Sequence, residues 1–284
     1  MLFSPGLAYW NQRFALVKSA ERIKTLSATV GHITDLSLFQ FAQLMATTME
    51  FRPDLIIELG RGQGNSTCAF TEAVNCLGNG GHVLSLCLSD DWERLTLPKL
   101  RKVVPASWFL PLEALRKDIL SFDYRSAIAG KRKVVLFWDA HGFDIAECVL
   151  GAIMPELAER EHLVMMHDLS DLRYCSADAL LYGPYGLWKG NNWSGPRLRL
   201  GHIDSAVEQA VAAVDFTTRN RLTLDSADHS NRTELADPDK QKEMEDLLGP
   251  LFDLQGHWFY FSLNEHPGPY TFPRYAPHSR SAVG

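Results

Sequence analysis

Residues 54–66 read DLIIELGRGQGNS, an apolar run that ends in an acid and is followed by three alternating glycines. The run predicts a buried parallel strand over residues 55–59 that stops at a tight backbone turn. A helix predicted from Thr67 would begin there, so its free N–H groups and the positive end of its dipole would face any ligand bound at the turn. The stretch therefore predicts a nucleotide-type site at the end of the first strand.

The spacing of the glycines distinguishes between cofactors. A dinucleotide fingerprint, G-x-G-x-x-G, requires glycine where this chain has Asn65, and the Gly-Lys-Ser/Thr of a phosphate-binding P-loop is absent. The remaining pattern, E-x-G-x-G-x-G, resembles motif I of the class I (Rossmann-like) S-adenosylmethionine-dependent methyltransferases. Their cofactor carries no phosphate and so requires no lysine. The resemblance covers roughly residues 52–263.

Short apolar runs alternate with helix-like stretches along this region, which predicts an α/β fold with helices on both faces of the sheet. By resemblance, the sheet is a mostly parallel, seven-stranded, Rossmann-like sheet that ends in an antiparallel hairpin. The strands are expected at 55–59, 83–88, 112–116, 133–138, 163–166, 221–224 and 257–263. The helices are expected at 67–77, 92–103, 144–157, 203–214 and 239–252.

Three segments divide the chain. Residues 1–50 look helical, with apolar side chains at three- and four-residue spacing, and are expected to cap the sheet or the active site. Residues 51–264 would form the Rossmann-like domain. The proline-rich tail, 265–284, is expected to be an extended arm or disordered.

The resemblance implies a set of cofactor contacts. The acid of the motif would lie near the methionine amino group of S-adenosylmethionine, and the backbone of the glycine turn would lie under its ribose and methionine parts. An acid in the turn after the third strand would contact the adenine amino group, although it could equally be a helix N-cap. The implied cofactor-binding residues are Glu58, Gly60, Gly62, Gly64, Ser66, Asp91 and Asp118.

One position departs from the family pattern. Many members end the second strand with an acid that binds both ribose hydroxyls, and the matching residue here is Cys87. A thiol is a poor acceptor and cannot bridge a diol, so Asp90 or Asp91 would have to reach back. The alternative is that these two acids only cap the following helix.

Two further apolar runs end in acids and histidines. Residues 134–142 read VVLFWDAHG and residues 162–168 read HLVMMHD, which delivers Asp139, His167 and Asp168 to neighbouring strand ends. Carboxylate oxygens suit Mg²⁺, although His167 could ligate a softer divalent metal. The arrangement resembles metal-dependent small-molecule O-methyltransferases, including the catechol, macrolide-sugar and cephalosporin-hydroxylase-like groups. The alternative is that Asp139 touches only the cofactor's amino group and no metal binds.

His141 is the predicted general base, because a neutral imidazole can accept the hydroxyl proton near pH 7. The aromatic segment at 182–200 would cover the substrate, with Tyr185, Trp188 and Trp193 stacking on a sugar or aromatic ring. Alternatively, these rings pack on the N-terminal helices or at a homodimer interface.

Composition excludes several function classes. The 284-residue chain is 46% hydrophobic and 22% charged, and its net charge of −6 argues against a nucleic-acid binder. Five cysteines without a C-x-x-C pair fit free thiols in a reducing compartment. No signal peptide or integral membrane segment is expected, which favours a cytoplasmic protein.

The sequence thus predicts an enzyme that methylates a hydroxyl of a small molecule or glycan with S-adenosylmethionine, with or without a divalent metal. Two alternatives stay open because fold does not fix function. One is a divergent cephalosporin-hydroxylase-like enzyme. The other is a non-catalytic partner protein that uses the methyltransferase fold for dimerisation, for which Cys87 is the best sequence indication.

Overall fold

The computed structural model describes residues 3–32, 36–167, 202–265 and 267–275, without the side chains of residues 202–208. These residues form a seven-stranded sheet with the order β3-β2-β1-β4-β5-β7-β6. The first five strands are parallel, and β7 runs antiparallel to both β5 and β6. The strands are β1 Leu55–Leu59, β2 His82–Cys87, β3 Leu112–Arg116, β4 Lys133–Trp138, β5 Glu161–His167, β6 Asp225–Ser226 and β7 Trp258–Phe261. The α/β fold with a mostly parallel sheet and antiparallel end strands is confirmed.

Helices cover both faces of this sheet. They are α1 Pro5–Asn11, α2 Arg13–Val30, α3 Leu38–Phe51, α4 Asn65–Leu77, α5 Leu97–Leu100, α6 Tyr124–Ile128, α7 Phe143–Cys148, α8 Met154–Leu157, α9 His202–Arg219, α10 Ala227–Glu234 and α11 Pro238–Leu248. Two π-helical turns extend this set, Trp92–Thr96 ahead of α5 and Val149–Ile153 between α7 and α8. The predicted helix at 144–157 is therefore continuous, with a π-turn in its middle.

Successive side chains of each strand point to opposite faces of the sheet, so the protein has two hydrophobic cores, one on each face. In β1, Ile56 packs in a cluster with side chains of the N-terminal helices such as Phe41, whereas Leu55 and Ile57 pack in the opposite cluster with α7 and α8. Both neighbours of β1 are hydrogen-bonded parallel strands, β2 and β4, so its backbone is fully enclosed. Helices α1 to α3 thus share one core with a face of the sheet.

The strand order reverses beside β1. The chain passes from β1 to β2 and β3 on one side, and then returns to place β4 and β5 on the other side. Loops that leave the carboxyl ends of β1 and β4 therefore diverge, which opens a crevice at this topological switch point. Ligands of open α/β sheets bind at such a point.

The C-terminal part differs from the prediction in two elements. The strand expected at 221–224 lies instead at Asp225–Ser226, because a turn follows the end of α9 and includes a left-handed residue, Arg221, with φ 57°. The N–H of Arg221 bonds to the Thr218 carbonyl and continues the helical turn. Helix α10 was not predicted; it begins at the N-cap Ser226, whose side chain accepts the His229 N–H.

The tail is partly described. Residues 267–275 contain no helix or strand, and the Tyr275 hydroxyl donates to the Leu120 carbonyl at 2.7 Å. This part of the tail packs against the sheet domain. The predicted substrate segment at 182–200, Asp168 and residues 276–284 lie outside the described residues.

Within the described residues, no helix is both long enough and apolar enough to span a membrane.

Candidate cofactor site

The three glycines of the turn after β1 differ in what a side chain at each position would contact. All three have positive φ, at 91° for Gly60, 52° for Gly62 and 96° for Gly64. A Cβ at Gly60 would lie 2.7 Å from the Asp139 carbonyl carbon, and one at Gly64 would lie 2.5 Å from Cζ3 of Trp92. A Cβ at Gly62 would meet nothing within 4 Å. The outer glycines therefore permit close packing, and Gly62 is the one that faces open space.

Glu58 is fully buried beneath the turn. Its carboxylate accepts hydrogen bonds from Ser66 Oγ and Thr67 Oγ1, each at 2.6 Å, and from the Ser85 hydroxyl. Burial raises the pKa of this carboxyl, and the three hydroxyl donors partly oppose that shift. Glu58 and Ser66 thus fasten the start of α4 to β1 and β2. Their predicted contact with the cofactor stays a prediction.

Arg61 is a residue of the turn that the sequence analysis did not single out. Its side chain is fully buried under the turn, where Nη1 donates to the Ser85 carbonyl at 2.9 Å. Nη2 lies 3.6 Å from a carboxylate oxygen of Glu93. The guanidinium also attracts the Glu58 charge and helps to lower that carboxyl's pKa. The sequence around Arg61 does not indicate that its side chain is buried. Its partners Ser85 and Glu93 lie on β2 and in the π-helical turn Trp92–Thr96, which are distant in the sequence.

A cavity of about 570 Å³ opens at the carboxyl ends of the first four strands. Its size suits a small-molecule or cofactor site. Each wall comes from the loop after one strand: Gly60 after β1, residues 87–89 after β2, residues 118–120 after β3 and residues 140–145 after β4. The lining residues are Gly60, Cys87, Leu88, Ser89, Asp118, Ile119, Leu120, Ala140, His141, Gly142, Phe143, Asp144 and Ile145.

The cavity brings together three of the predicted site residues, Gly60, Asp118 and His141. Asp91 is not among the lining residues. It pairs with Arg94 at 3.0 Å, and hydrogen bonds from Ser89 and Arg94 lower the pKa of its carboxyl. Ser89 is the hydroxyl-bearing residue of the lining that follows β2. It was not predicted from the sequence, because the acids Asp90 and Asp91 directly after it are the more usual ribose ligands.

Asp118 lies in the turn after β3, as the sequence predicted. Its Oδ1 accepts the Leu120 N–H at 3.0 Å and caps the short helical turn Ile119–Ser121. The capping role is therefore observed, and the same residue lines the cavity, but its predicted contact with the adenine amino group stays a prediction. A carboxylate has further lone pairs beyond the one used by the cap.

His141 lines the cavity and contacts a buried residue of α9. Its Nδ1 lies 2.8 Å from Oε1 of Gln209, and Nε2 of Gln209 donates to the Trp138 carbonyl at 3.3 Å. Gln209 is 0% exposed. The predicted general base is thus held by a side chain from the helix after β5, which no feature of the local sequence around His141 indicates.

Asp139 and His167 lie at adjacent strand ends, as the sequence predicted. Asp139 Oδ1 is 3.4 Å from His167 Nδ1, and Nε2 of His167 lies 3.5 Å from the Gln40 amide nitrogen. Both residues are largely buried, at 17% and 5% side-chain exposure. Among the described residues, no group of three or more His, Cys, Asp or Glu side chains could hold a metal ion, and Asp168 lies outside them.

In the part of the chain that the structure describes, the cavity lining holds more carboxylates than basic side chains. Asp118 and Asp144 supply carboxylates, and no lysine or arginine is among the described residues that line it. Apolar side chains, including Leu88, Ile119 and Phe143, make up much of the remaining surface. The cavity is therefore suited to a ligand that combines an apolar ring with positive charge or hydrogen-bond donors.

No family model matches the sequence, and comparison with curated proteins gave no match. Solved structures do match. The methyltransferase PaMTH1 of Podospora anserina, bound to SAH, is 10% identical, with a TM-score of 0.48 and coverage of 92% of this chain and 88% of that one. The tomaymycin-synthesis O-methyltransferase TomG of Streptomyces achromogenes, in complex with SAM, is 14% identical, with a TM-score of 0.45 and coverage of 70% and 80%.

The Bacillus cereus O-methyltransferase in complex with SAH is 12% identical, with a TM-score of 0.41 and coverage of 76% of this chain and 81% of that one.

Proposed function

We propose that the protein is an S-adenosylmethionine-dependent methyltransferase that methylates a hydroxyl group of a small molecule. The observation that carries this proposal is the cavity at the switch point beside β1, which is lined by two carboxylates and, among the described residues, by no lysine or arginine. Motif I of the sequence forms the floor of the crevice at Gly60.

The charge of the lining favours this cofactor over the nucleotides that share the fold. NAD, FAD and ATP carry phosphates, and proteins bind phosphates with lysine, arginine or a helix N-terminus lined with glycine amides. Phosphates placed against Asp118 and Asp144 would be repelled. S-adenosylmethionine instead has a sulfonium and an amino group, both positive, and an adenine amino donor.

The lining also fits the remaining parts of the cofactor. Leu88, Ile119 and Phe143 offer apolar surface for a purine ring, and Asp118 offers an acceptor for its exocyclic amino group. At the end of β2, Ser89 is the hydroxyl that would contact the ribose where other members have an acid. A serine can make fewer strong bonds to a diol than a carboxylate, so we expect modest cofactor affinity.

When bound, S-adenosylmethionine supplies an electrophilic methyl group beside a positive sulfur. The chain's own contribution is to hold the acceptor hydroxyl in line with that methyl group and to exclude water, which can account for much of the rate. His141 lines the cavity and would accept the proton that the hydroxyl releases. The acceptor would be a small metabolite or glycan that enters from the open side of the crevice.

A divalent metal would assist this reaction if Asp139 and His167 hold one. Asp139 Oδ1 and His167 Nδ1 lie 3.4 Å apart at adjacent strand ends and offer an oxygen and a nitrogen donor. These two residues, with Asp168 as the proposed third ligand, would hold the ion, which would lower the pKa of a bound substrate hydroxyl. Activity that is lost on chelation and restored by one divalent ion would support this addition; full activity after chelation would remove it.

The proposal is tested by the release of S-adenosylhomocysteine. The purified protein is incubated with S-adenosylmethionine and phenol, catechol and sugar acceptors, and both products are quantified by mass spectrometry. Acceptor-dependent release with a mass increase of one methyl group would support the proposal. A protein that binds no S-adenosylmethionine would refute it, and oxidised or hydroxylated product without S-adenosylhomocysteine would favour the hydroxylase-like alternative.

Two aspartates provide a matched pair of variants. Asp118 and Asp123 each cap a short helical turn by accepting a backbone N–H, from Leu120 and Ser126 respectively, but only Asp118 lines the cavity. In Asp118→Asn the single amide oxygen is needed for the cap, so the NH₂ group would face the adenine amino donor. We expect about 10-fold weaker S-adenosylmethionine binding for one lost hydrogen bond, and unchanged binding in Asp123→Asn.

A further inference from the structure

Gly151 lies within the helical stretch that runs from α7 to α8, in the π-helical turn Val149–Ile153. A glycine inside a helix costs free energy relative to alanine, and Gly151 has no positive φ that would require it. A Cβ at this position would lie 2.7 Å from the Pro273 carbonyl oxygen and 2.9 Å from Cβ of Tyr275. The glycine is therefore explained by the C-terminal segment, residues 267–275, which crosses the helix at this point.

The C-terminal segment is held in place before it reaches Gly151. The Thr271 N–H donates to Oδ1 of Asn220 at 2.6 Å, and Nδ2 of Asn220 donates to the Thr271 carbonyl at 3.0 Å. The Phe272 ring packs beside Phe216, with 6.1 Å between the two ring centroids. A segment without helix or strand needs such partners for its backbone groups. These contacts fix the path along which the segment approaches the helix.

Beyond this crossing the segment contacts a wall of the cofactor cavity. The Tyr275 hydroxyl, a donor at neutral pH, donates to the Leu120 carbonyl at 2.7 Å. Leu120 and Asp118 both line the cavity. Within their turn, the Leu120 N–H bonds to Oδ1 of Asp118, and the Ser121 N–H bonds to the Asp118 carbonyl. Tyr275 thus holds the turn that carries Asp118, from a position more than 150 residues further along the chain.

We propose that Tyr275 is a positioning residue that holds the turn 118–121 in the conformation that binds the cofactor. This inference rests on the proposed function, in which that turn contacts the adenosyl group. The apparent affinity of a ligand falls with the fraction of protein that is in the binding-competent conformation. One hydrogen bond changes such a fraction by about 2- to 10-fold. We expect Tyr275→Phe to weaken S-adenosylhomocysteine binding by this factor.

The loss should be moderate because the turn keeps a second contact. The Tyr124 hydroxyl donates to the neighbouring Ile119 carbonyl at 2.8 Å. Tyr124 belongs to α6, which follows the turn directly, so this contact is local and does not depend on the C-terminal segment. Tyr275→Phe should therefore loosen the turn without unfolding it.

The effect on the turn can be measured without any cofactor. In the full-length protein, hydrogen exchange detected by mass spectrometry follows the peptide that contains residues 118–121. Tyr275→Phe should speed exchange in this peptide by about 2- to 10-fold, because the N–H bonds of Leu120 and Ser121 open more often. Unchanged exchange in Tyr275→Phe would overturn the inference whether or not the protein binds S-adenosylmethionine.

Calorimetric titration with S-adenosylhomocysteine tests the consequence for the cofactor, and Tyr270 provides a matched control. Tyr270 belongs to the same segment and donates its hydroxyl to the Leu263 carbonyl, but Leu263 is not among the described residues that line the cavity. Tyr270→Phe and Tyr275→Phe should lower Tm by similar amounts, since each removes one such bond. Only Tyr275→Phe should weaken S-adenosylhomocysteine binding, and equal affinities in the two variants would overturn the inference.

Gly151→Ala displaces the segment without changing Tyr275 or the turn. Alanine is favoured over glycine in a helix, but its methyl group would push Pro273 and Tyr275 away from the helix. The affinity for S-adenosylhomocysteine should fall about as much as in Tyr275→Phe. The double variant should bind scarcely more weakly than either single variant, because both changes remove the same contact. Wild-type affinity in Gly151→Ala, or additive losses in the double variant, would contradict the inference.

Linkage predicts a reciprocal effect on the segment. If Tyr275 strengthens S-adenosylhomocysteine binding, the bound ligand must stabilise the contact between Tyr275 and the turn by the same factor. Saturating S-adenosylhomocysteine should therefore slow exchange in the peptide of residues 270–275 about 2- to 10-fold in the wild type and not in Tyr275→Phe. Faster exchange of the turn with unchanged affinity in Tyr275→Phe would overturn the inference and leave the proposed function intact. A wild-type protein that binds no S-adenosylhomocysteine would refute both.

Discussion

Replacement of Gly60 by alanine should destabilise the fold, whereas the same replacement at Gly62 should cost little stability. At Gly60 the backbone has φ 91°, and the new Cβ would lie 2.7 Å from the Asp139 carbonyl carbon and 3.0 Å from the Ala140 nitrogen. These are backbone atoms at the end of β4, which cannot rotate away. The methyl group could be accommodated only if β1 and β4 move apart.

Two costs add at Gly60. Left-handed backbone costs an L-residue about 1–2 kcal/mol, and overpacking against fixed atoms costs about 1–3 kcal/mol. The expected loss is therefore about 2–5 kcal/mol, which lowers Tm by roughly 4–20 °C at about 2–4 °C per kcal/mol. At Gly62, with φ 52° and nothing within 4 Å, only the first cost applies. That cost of about 1–2 kcal/mol corresponds to a fall in Tm of roughly 2–8 °C, at about 2–4 °C per kcal/mol.

The assay is thermal and urea unfolding of both variants, followed by titration with S-adenosylmethionine. Gly62→Ala should remain folded and bind the cofactor more weakly, because its methyl group would enter the open space beside the turn where the resemblance places the cofactor. Equal Tm values for the two variants would refute the steric reasoning at Gly60. Normal cofactor affinity in Gly62→Ala would refute the placement of the cofactor at the turn.

Three further predictions follow from buried or unusual groups. His162 is buried and accepts the Leu263 N–H at Nε2, and burial lowers the pKa of its imidazole below 6.5. As the pH falls below 6.5, the unfolded chain gains a proton at this histidine before the folded protein does, so the free energy of unfolding measured in urea should fall by up to about 1.4 kcal/mol per pH unit. This slope should be absent in His162→Gln. Arg61→Met should cost about 3 kcal/mol in the same assay, because the buried Glu58 loses its nearest cation. Cys87→Asp should tighten S-adenosylhomocysteine binding about 10-fold by calorimetry, through charge-assisted bonds to the ribose; unchanged affinity would place the ribose elsewhere.

The central sheet could be predicted from the sequence because its signals are local. β1 and β4 begin and end where the apolar runs do, at 55–59 and 133–138, and β3 has the predicted bounds 112–116 although Glu113 and Arg116 interrupt its apolar residues. Continuous apolar runs bounded by glycine or charge have few alternative arrangements. Helix α10 was missed for the opposite reason: ADHSNRTE is mostly polar, and only Ala227, Ser230 and Asn231 are buried. It depends on contact with α1 rather than on an apolar face of its own.

Residues of the site could be predicted from the sequence only where a recognisable motif lies at the predicted end of a strand. Gly60, Asp118 and His141 line the cavity because each follows a strand, and strand ends were visible in the sequence. The burial of Arg61 and the contact of Gln209 with His141 depend on elements distant in the sequence, so no local pattern indicates them. Asp91 was predicted as a ribose ligand but pairs with Arg94 three residues later, a local contact that competes with reaching the cavity.

The central claim is that the cavity beside β1 accepts a phosphate-free adenosyl cofactor. The most direct test is calorimetric titration of the wild-type protein with S-adenosylhomocysteine, NAD⁺ and ATP under one set of conditions. Binding of S-adenosylhomocysteine at micromolar Kd, weakened in Asp118→Asn, with no binding of NAD⁺ or ATP, is the predicted result. Binding of NAD⁺ or ATP without S-adenosylhomocysteine would contradict the claim.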